Sequence, residues 1–108
     1  MAAERDDAMW LDARGLVSLA ELAECSGIPA AVLRELVEYG ALAPADPRER
    51  EWVFRADCVV SLRVAGRVFH DLELETPALA LVLSYVERIE ALEAELRRLN
   101  ARLGGTAR

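Results

Sequence analysis

The sequence predicts a mainly α-helical fold, a winged helix-turn-helix with a minimal two-stranded wing sheet and a long C-terminal coiled-coil helix. Three observations support this: two short amphipathic segments separated by a glycine turn, an aromatic strand-forming triplet after a proline-containing loop, and a C-terminal leucine repeat. The chain has 108 residues and a net charge of −6. A chain of this length forms one small domain with a real core.

The first helix begins after Ser18. Glu21 follows three residues later, and this spacing is the capping box, in which each side chain binds an otherwise unpaired amide at the helix start. The apolar stripe consists of Leu19, Leu22 and Ala23. Gly27 can adopt the left-handed conformation that commonly ends a helix. These signals predict a short first helix.

A second helix follows at once, because Pro29 is tolerated in a first helical turn. Its buried stripe consists of Leu33, Leu36 and Val37, and its outward residues are Arg34, Glu35 and Glu38. Gly40 ends this segment. Two short helices joined by a tight turn predict a helix-turn-helix.

The wing is predicted from Trp52, Val53 and Phe54, which are good strand formers. Leu16 and Val17 are the expected pairing partner, since an isolated strand would leave its backbone groups unpaired. Trp52 and Phe54 share one face of the strand, so we expect both to pack into the core.

The third helix starts near Asp57, where apolar residues begin to recur at steps of four and three. They are Cys58, Leu62, Ala65, Phe69 and Leu72. A break at residues 73–76 precedes the last helix, with Thr76 as its cap and Pro77 in its first turn.

The last helix carries a heptad repeat that predicts a homodimer, with parallel and antiparallel pairing both open. Its predicted dimerisation residues are Val82, Tyr85, Ile89, Leu92, Leu96, Leu99 and Leu103. A helix from Pro77 to Leu103 is about 40 Å long, which is more than so small a domain can cover. The side chains expected to pack against the body of the domain are those of Leu79, Leu83 and Val86.

The predicted organisation has four parts. Residues 1–14 form an acidic N-terminal segment expected to be mobile, 15–75 the winged helix-turn-helix domain, 76–103 the dimerisation helix and 104–108 a tail. No segment has the pattern of a signal peptide or the length of a membrane span.

Catalytic and metal chemistry find little support in the sequence. Cys25 and Cys58 lie far apart and His70 is the single histidine, so no metal ligand set and no cofactor are predicted. Both thiols are expected to act as small buried hydrophobes in a reducing cytoplasm, with a disulfide as the alternative. His70 is expected on the surface without chemistry, and the protein is predicted to be non-enzymatic.

The charge of the helix-turn-helix argues against DNA binding. Residues 15–44 contain four glutamates and a single arginine, Arg34, whereas binding to duplex DNA requires neutralising phosphates. In the wing, the charges of Arg48, Arg50 and Arg55 are cancelled by three acids. An acidic surface favours a basic protein partner, and a DNA-binding transcriptional regulator is the alternative.

The second helix resembles the MerR-type helix-turn-helix in its Leu33-Arg34 pair, Glu38, Gly40 and Leu42. The chain lacks the tyrosine-rich recognition stretch and the glycine-tyrosine-arginine wing of DNA-binding members. The Trp-Val-Phe strand at residues 52–54, the following helix and the terminal heptads are instead similar to the CbpM family of chaperone modulators.

The resemblance implies a co-chaperone inhibitor that binds the J-domain of a CbpA-type, DnaJ-like co-chaperone and keeps it from stimulating DnaK. J-domains of this system present a basic helix. The acidic residues expected to cover it are Glu21, Glu24, Glu35, Glu38, Asp71, Glu73 and Glu75.

Overall fold

The computed structural model describes residues 15–107, and the acidic segment 1–14 with its predicted mobility lies outside them. The elements in chain order are β1 (Leu16–Ser18), α1 (Leu19–Ser26), α2 (Ala30–Glu38), β2 (Val53–Arg55), α3 (Cys58–Asp71) and α4 (Thr76–Ala107). The predicted mainly α fold, with a two-stranded sheet and a long C-terminal helix, is confirmed.

Helix α1 begins and ends as its residues predict. The N–H of Glu21 donates to Ser18 Oγ at 3.1 Å, and the N–H of Ser18 donates to Glu21 Oε1 at 2.8 Å, which completes the capping box. Gly27 closes the helix at φ 77° and donates to the carbonyl of Ala23. Removing an N-cap such as Ser18 costs about 1 kcal/mol of stability. Because the Glu21 carboxylate completes this capping box, it also contributes to the stability of the fold.

The wing is the predicted antiparallel pair. Val17 faces Phe54 across the two strands, and both side chains are buried. Trp52 is half-buried against the core and meets the Phe54 ring edge-on, with ring centroids 6.4 Å apart. The prediction that both aromatic residues pack into the core is confirmed for Phe54, whereas Trp52 packs against the core and stays half-buried.

The core is formed where α1, α2 and α3 meet the start of α4. Its fully buried large side chains are Val17, Leu22, Ile28, Leu33, Leu36, Phe54, Leu62, Leu79 and Leu83. Helix α3 crosses very close to the end of α1 at Gly66, where an added Cβ would lie 2.3 Å from the carbonyl oxygen of Ser26. The contact of α1 with α3 therefore depends on this glycine.

Helix α2 ends in a Schellman motif, in which two amides bind carbonyls of the last turn. The N–H of Ala41 donates to Leu36 O at 2.9 Å, and the N–H of Gly40 donates to Val37 O at 3.0 Å. Gly40 has the left-handed φ of 79° that this motif requires. The predicted stop at Gly40 is confirmed.

Helix α4 packs on the body with its first half and projects from it with its second half. Leu79 and Leu83 are buried, and Glu90 accepts a hydrogen bond from the Ser61 hydroxyl near the start of α3. Residues 91–107 extend about 25 Å further, at ~1.5 Å per residue.

The tail predicted from residue 104 is wrong in its start, because the helix continues to Ala107. Gly104 does not adopt the left-handed φ seen at Gly27 and Gly40. Glycine lowers helix propensity by about 1 kcal/mol without breaking the hydrogen-bond ladder, so the helix runs through it.

Candidate partner-binding surface

Two of the predicted partner-binding acids lie on α1 beside an open groove. Glu24 is exposed, whereas Glu21 is half-buried because its carboxylate also completes the capping box. The groove has a volume of about 530 Å³. Its lining residues are Ala20, Glu21, Ala23, Glu24, Gly27, Ile28 and Pro29. We refer to Glu21 and Glu24 as the α1 acids.

The other five acids, which we call the junction acids, follow the α2 surface and the turn between α3 and α4. All are exposed: Glu35, Glu38, Asp71, Glu73 and Glu75. The hydroxyl of Thr76, at the start of α4, donates a hydrogen bond to Glu35 Oε1 at 2.6 Å. This bond joins Glu35 on α2 to the start of α4, directly after the turn that carries Glu73 and Glu75.

The turn that carries Glu73 has an unusual backbone. Helix α3 ends in the same Schellman motif as α2, with the N–H of Leu74 donating to Phe69 O and the N–H of Glu73 donating to His70 O. The left-handed position, with φ 51°, is here occupied by Glu73. A left-handed conformation costs a non-glycine residue roughly 1–2 kcal/mol, so a carboxylate is held on this turn against the local preference.

His70 connects the two groups of acids. It is exposed, as predicted, but its Nε2 lies 2.5 Å from the carbonyl oxygen of Gly27, which also lines the groove on α1. Asp71 follows His70 directly. Sequence reasoning missed this contact because nothing local marks a bond between residues so far apart. The α1 acids and the junction acids together form the surface that we call the acidic face.

The arginine ion pairs defined between residues 15 and 107 do not involve the acidic face. The ion pairs defined among the described residues include Arg48 with Asp46 at 3.6 Å and Arg55 with Asp57 at 3.4 Å, and both lie at the wing. Within the described part of the chain, none of the seven predicted carboxylates forms an ion pair. These acids are therefore available to an external cation.

Positive charge dominates a second groove, which lies between the wing and the outward side of α2. This groove has a volume of about 490 Å³, and Arg34, Arg50 and Trp52 contribute to its lining. Glu51 also lines it and offsets part of the positive charge. We refer to it as the wing groove.

Helix α4 exposes a continuous apolar stripe that begins on its packed half and runs along its projecting half. Its members are between 47% and 66% exposed: Tyr85, Ile89, Leu92, Leu96, Leu99 and Leu103. Val82, predicted as the first member, is half-buried and packs against the core of its own chain. Leu81 is 56% exposed and precedes Tyr85 by four residues, so it extends the stripe by one turn. Its spacing to Tyr85 was the signal that could have identified it.

Cys25 and Cys58 are thiols and are not joined in a disulfide. Cys25 is buried, as predicted, and its Sγ points to Leu22 O at 3.6 Å. Burial, reinforced by nearby Asp57, raises the pKa of the half-buried Cys58 thiol to about 12. A thiol with such a pKa stays protonated and is a poor nucleophile at neutral pH.

Residues 15–107 contain neither a metal-ligand cluster nor a membrane-spanning helix. This part of the chain brings together no group of three or more metal-ligating side chains. None of its helices combines the length and apolar character needed to span a bilayer.

A third group of acids lies where α3 meets the middle of α4. Partial burial, Glu90 and Asp57 together raise the pKa of Glu87 above its ordinary value. The charged form of Glu87 is therefore disfavoured in this group.

The wing, the paired short helices and the long last helix define a helix-turn-helix protein of the MerR class. The chain matches the family model described as "MerR HTH family regulatory protein" over residues 17–101. Three relatives carry a more specific name, "Chaperone modulatory protein CbpM".

The relative from Pseudomonas entomophila strain L48 is 37% identical over 70 residues, which cover 65% of this chain and 69% of the relative. The one from Escherichia coli O1:K1 / APEC is 33% identical over 78 residues, or 72% and 77% of the two chains. The one from Coxiella burnetii strain Dugway 5J108-111 is 29% identical over 79 residues, or 73% and 74%. The chain therefore belongs to the CbpM family of chaperone modulatory proteins.

Proposed function

We propose that this protein binds the J-domain of a CbpA-type, DnaJ-like co-chaperone through the acidic face and thereby prevents that co-chaperone from stimulating DnaK. One observation carries the proposal. Seven carboxylates on three parts of the fold form no ion pair among residues 15–107, so they are open to a cationic partner. The family relationship supports a role in modulating chaperones.

The sign of the charge selects the kind of partner. Complementary charges at an interface raise the rate of encounter and suppress partners of the wrong sign. A J-domain with a basic helix is attracted by the acidic face, whereas the phosphates of a duplex are repelled by it. The protein acts by occupying the helix that DnaK would otherwise contact, and it needs no catalytic residue for this.

The stimulation of DnaK ATPase activity by a CbpA-type co-chaperone tests this function. The wild-type protein should suppress the stimulated rate, and Glu35→Arg combined with Glu38→Arg should restore most of it. Glu35 also accepts the hydrogen bond from Thr76, so Thr76→Val is the matched control that removes this bond and keeps the charge. Suppression that survives the double reversal, or that Thr76→Val abolishes equally, would contradict the proposed role of these carboxylates.

A homodimer through the exposed stripe of α4 is the second part of the proposal. Large apolar side chains with the 4-3 spacing of a coiled coil are exposed over the whole projecting half of α4. A contiguous apolar strip of this kind marks an interaction surface. A second copy supplies a strip of identical length and spacing, with parallel and antiparallel pairing both compatible.

Sedimentation equilibrium at micromolar concentration tests the dimer. The wild-type chain should have twice its monomer mass, and Leu92→Glu with Leu99→Glu should be monomeric and retain the helix-turn-helix fold. A wild-type chain that sediments as a monomer would overturn this part of the proposal and leave the acidic face unaffected.

A DNA-binding regulator is the second candidate function. It is favoured by the wing groove, where Arg34 and Arg50 lie beside Trp52 on the side that a winged helix-turn-helix turns towards a duplex. Two of the other wing arginines are paired with aspartates, which reduces the positive charge available to phosphates.

A further inference from the structure

The groove on α1 has a shape and composition that the acidic surface alone does not explain. Its floor is made of the small or apolar residues Ala20, Ala23, Ile28 and Pro29, and its charged lining consists of the two glutamates on α1. It is an open concavity of about 530 Å³. An alkyl chain can therefore lie in it without meeting a cation of this protein.

The two glutamates are not equivalent. Glu21 Oε1 already accepts a hydrogen bond from the N–H of Ser18 as part of the capping box. Glu24, one turn of helix away from Ala20, is exposed and has no hydrogen bond or ion pair within the described chain. Glu24 is thus the carboxylate at this groove whose oxygens are open to an external donor.

One class of side chain satisfies both parts of the groove. Lysine and arginine lay a long aliphatic stem along apolar surface and keep the charged head at a polar rim. We propose that the groove on α1 receives long cationic side chains from the basic helix of the J-domain, with the stem over Ala20 and Ala23 and the head at Glu24. This inference rests on the proposed function and assigns the apolar part of the same interface.

The position of Gly27 supports a continuous interface beyond the groove. Gly27 lines one end of the groove, and a Cβ there would lie 3.8 Å from His70 Nε2, so His70 and the following Asp71 lie close to this end. A basic helix that extends past this end of the groove would meet Asp71, one of the junction acids. The groove supplies apolar contact and the junction acids supply charge.

The test compares the affinity of the full-length protein and its variants for an isolated J-domain by titration calorimetry. Ala20→Leu fills the groove and should weaken binding by about tenfold, roughly 1.4 kcal/mol. Glu24→Gln keeps the shape, removes the charge and should weaken binding by about three- to tenfold, with a smaller dependence on salt. Ala91→Leu places the same added side chain at an exposed position of α4 and should bind like the wild type.

The outcomes separate this inference from the function on which it rests. If the wild-type protein and both groove variants bind with equal affinity, the groove does not receive cationic side chains of the J-domain, although the J-domain is still the partner. If the wild-type protein does not bind the J-domain, both the inference and the proposed function fail. Glu24→Gln is a surface change, so it decides the question even if Ala20→Leu lowers stability.

Discussion

The acidic face and the wing groove show how one helix-turn-helix fold can present two surfaces of opposite character. On the wing side, Arg48 and Arg55 pair with neighbouring aspartates, and Glu51 lies in the groove with Arg34 and Arg50. On the acidic face, none of the seven carboxylates forms an ion pair within the described residues. Local pairing reduces the positive charge on the side that a DNA-binding member would use, and on our proposal the unpaired carboxylates of the acidic face bind a cationic protein.

The same contrast appears in two turns with the same hydrogen bonds. Helix α2 and helix α3 both end in a Schellman motif, with Gly40 in the left-handed position of one and Glu73 in that of the other. Glycine is the favourable choice there. A glutamate at the second turn adds charge to the acidic face at the expense of local stability.

The largest expected effect is a loss of stability from a substitution at the crossing of α1 and α3, the helices that link the α1 acids to the junction acids. Gly66→Ala would place a Cβ against the backbone oxygen of Ser26, which cannot move without shifting α1. Overpacking of this kind costs about 1–3 kcal/mol, and we expect a matching fall in the free energy of unfolding measured with urea.

Gly104→Ala is the matched control, because a Cβ there meets nothing within 4 Å. It should leave stability unchanged or raise it by up to about 1 kcal/mol, as expected for a helical glycine. Equal stability of Gly66→Ala and wild type would show that the crossing of α1 and α3 is looser than described.

A smaller effect of opposite sign is expected at Glu73. Glu73→Gly removes the left-handed strain, offset in part by the chain entropy of glycine, and should stabilise the fold by about 0.5–1 kcal/mol. Affinity for the J-domain should fall at the same time, because a carboxylate of the acidic face is lost. Thermal unfolding and calorimetry measure the two changes, and a more stable variant with undiminished affinity would remove Glu73 from the binding surface.

Glu87 is partly buried near two other carboxylates, whereas the acids of the acidic face are largely exposed. Its pKa is raised by burial, Glu90 and Asp57, so its ionised form destabilises the folded state at neutral pH. Glu87→Gln should therefore stabilise the protein at neutral pH. The gain should shrink as the pH falls through the folded-state pKa and vanish below the ordinary value of 4.5. Denaturant unfolding at both ends of this range checks the sign, and a variant less stable at neutral pH would contradict it.

The smallest expected effect is a change in J-domain affinity caused by substitutions in the wing groove. Arg34→Ala combined with Arg50→Ala leaves the acidic face intact and should change J-domain affinity by less than about twofold, since charges away from an interface contribute little. Calorimetry measures the difference. A large loss of affinity would place the wing groove inside the J-domain interface.

Local signals predicted most of the fold. The capping box at Ser18, the left-handed stops at Gly27 and Gly40, and the pairing of residues 16–17 with the aromatic strand all depend on neighbouring residues, and the structure contains each of them. The end of α4 was misjudged because glycine weakens a helix without requiring it to stop. The half-buried position of Val82 depends on the rotation of α4 against the body, which periodicity alone does not define.

The candidate surface was less accessible from the sequence. The residue types of the acids were visible, but their arrangement depends on two long-range contacts, His70 with Gly27 and Thr76 with Glu35. The groove on α1 depends on the small side chains of Ala20 and Ala23 facing the turn at Pro29. Alanine carries no sequence signal for a concavity, because the same residue is common throughout helices.

The most direct test of the central claim is a fluorescence anisotropy titration of one protein preparation against two labelled probes. One probe is the isolated J-domain of a CbpA-type co-chaperone, and the other is a duplex from the promoter of the protein's own gene. We predict saturable binding of the J-domain that weakens with added salt, and no saturable binding of the duplex. Saturable binding of the duplex with no response from the J-domain would contradict the account.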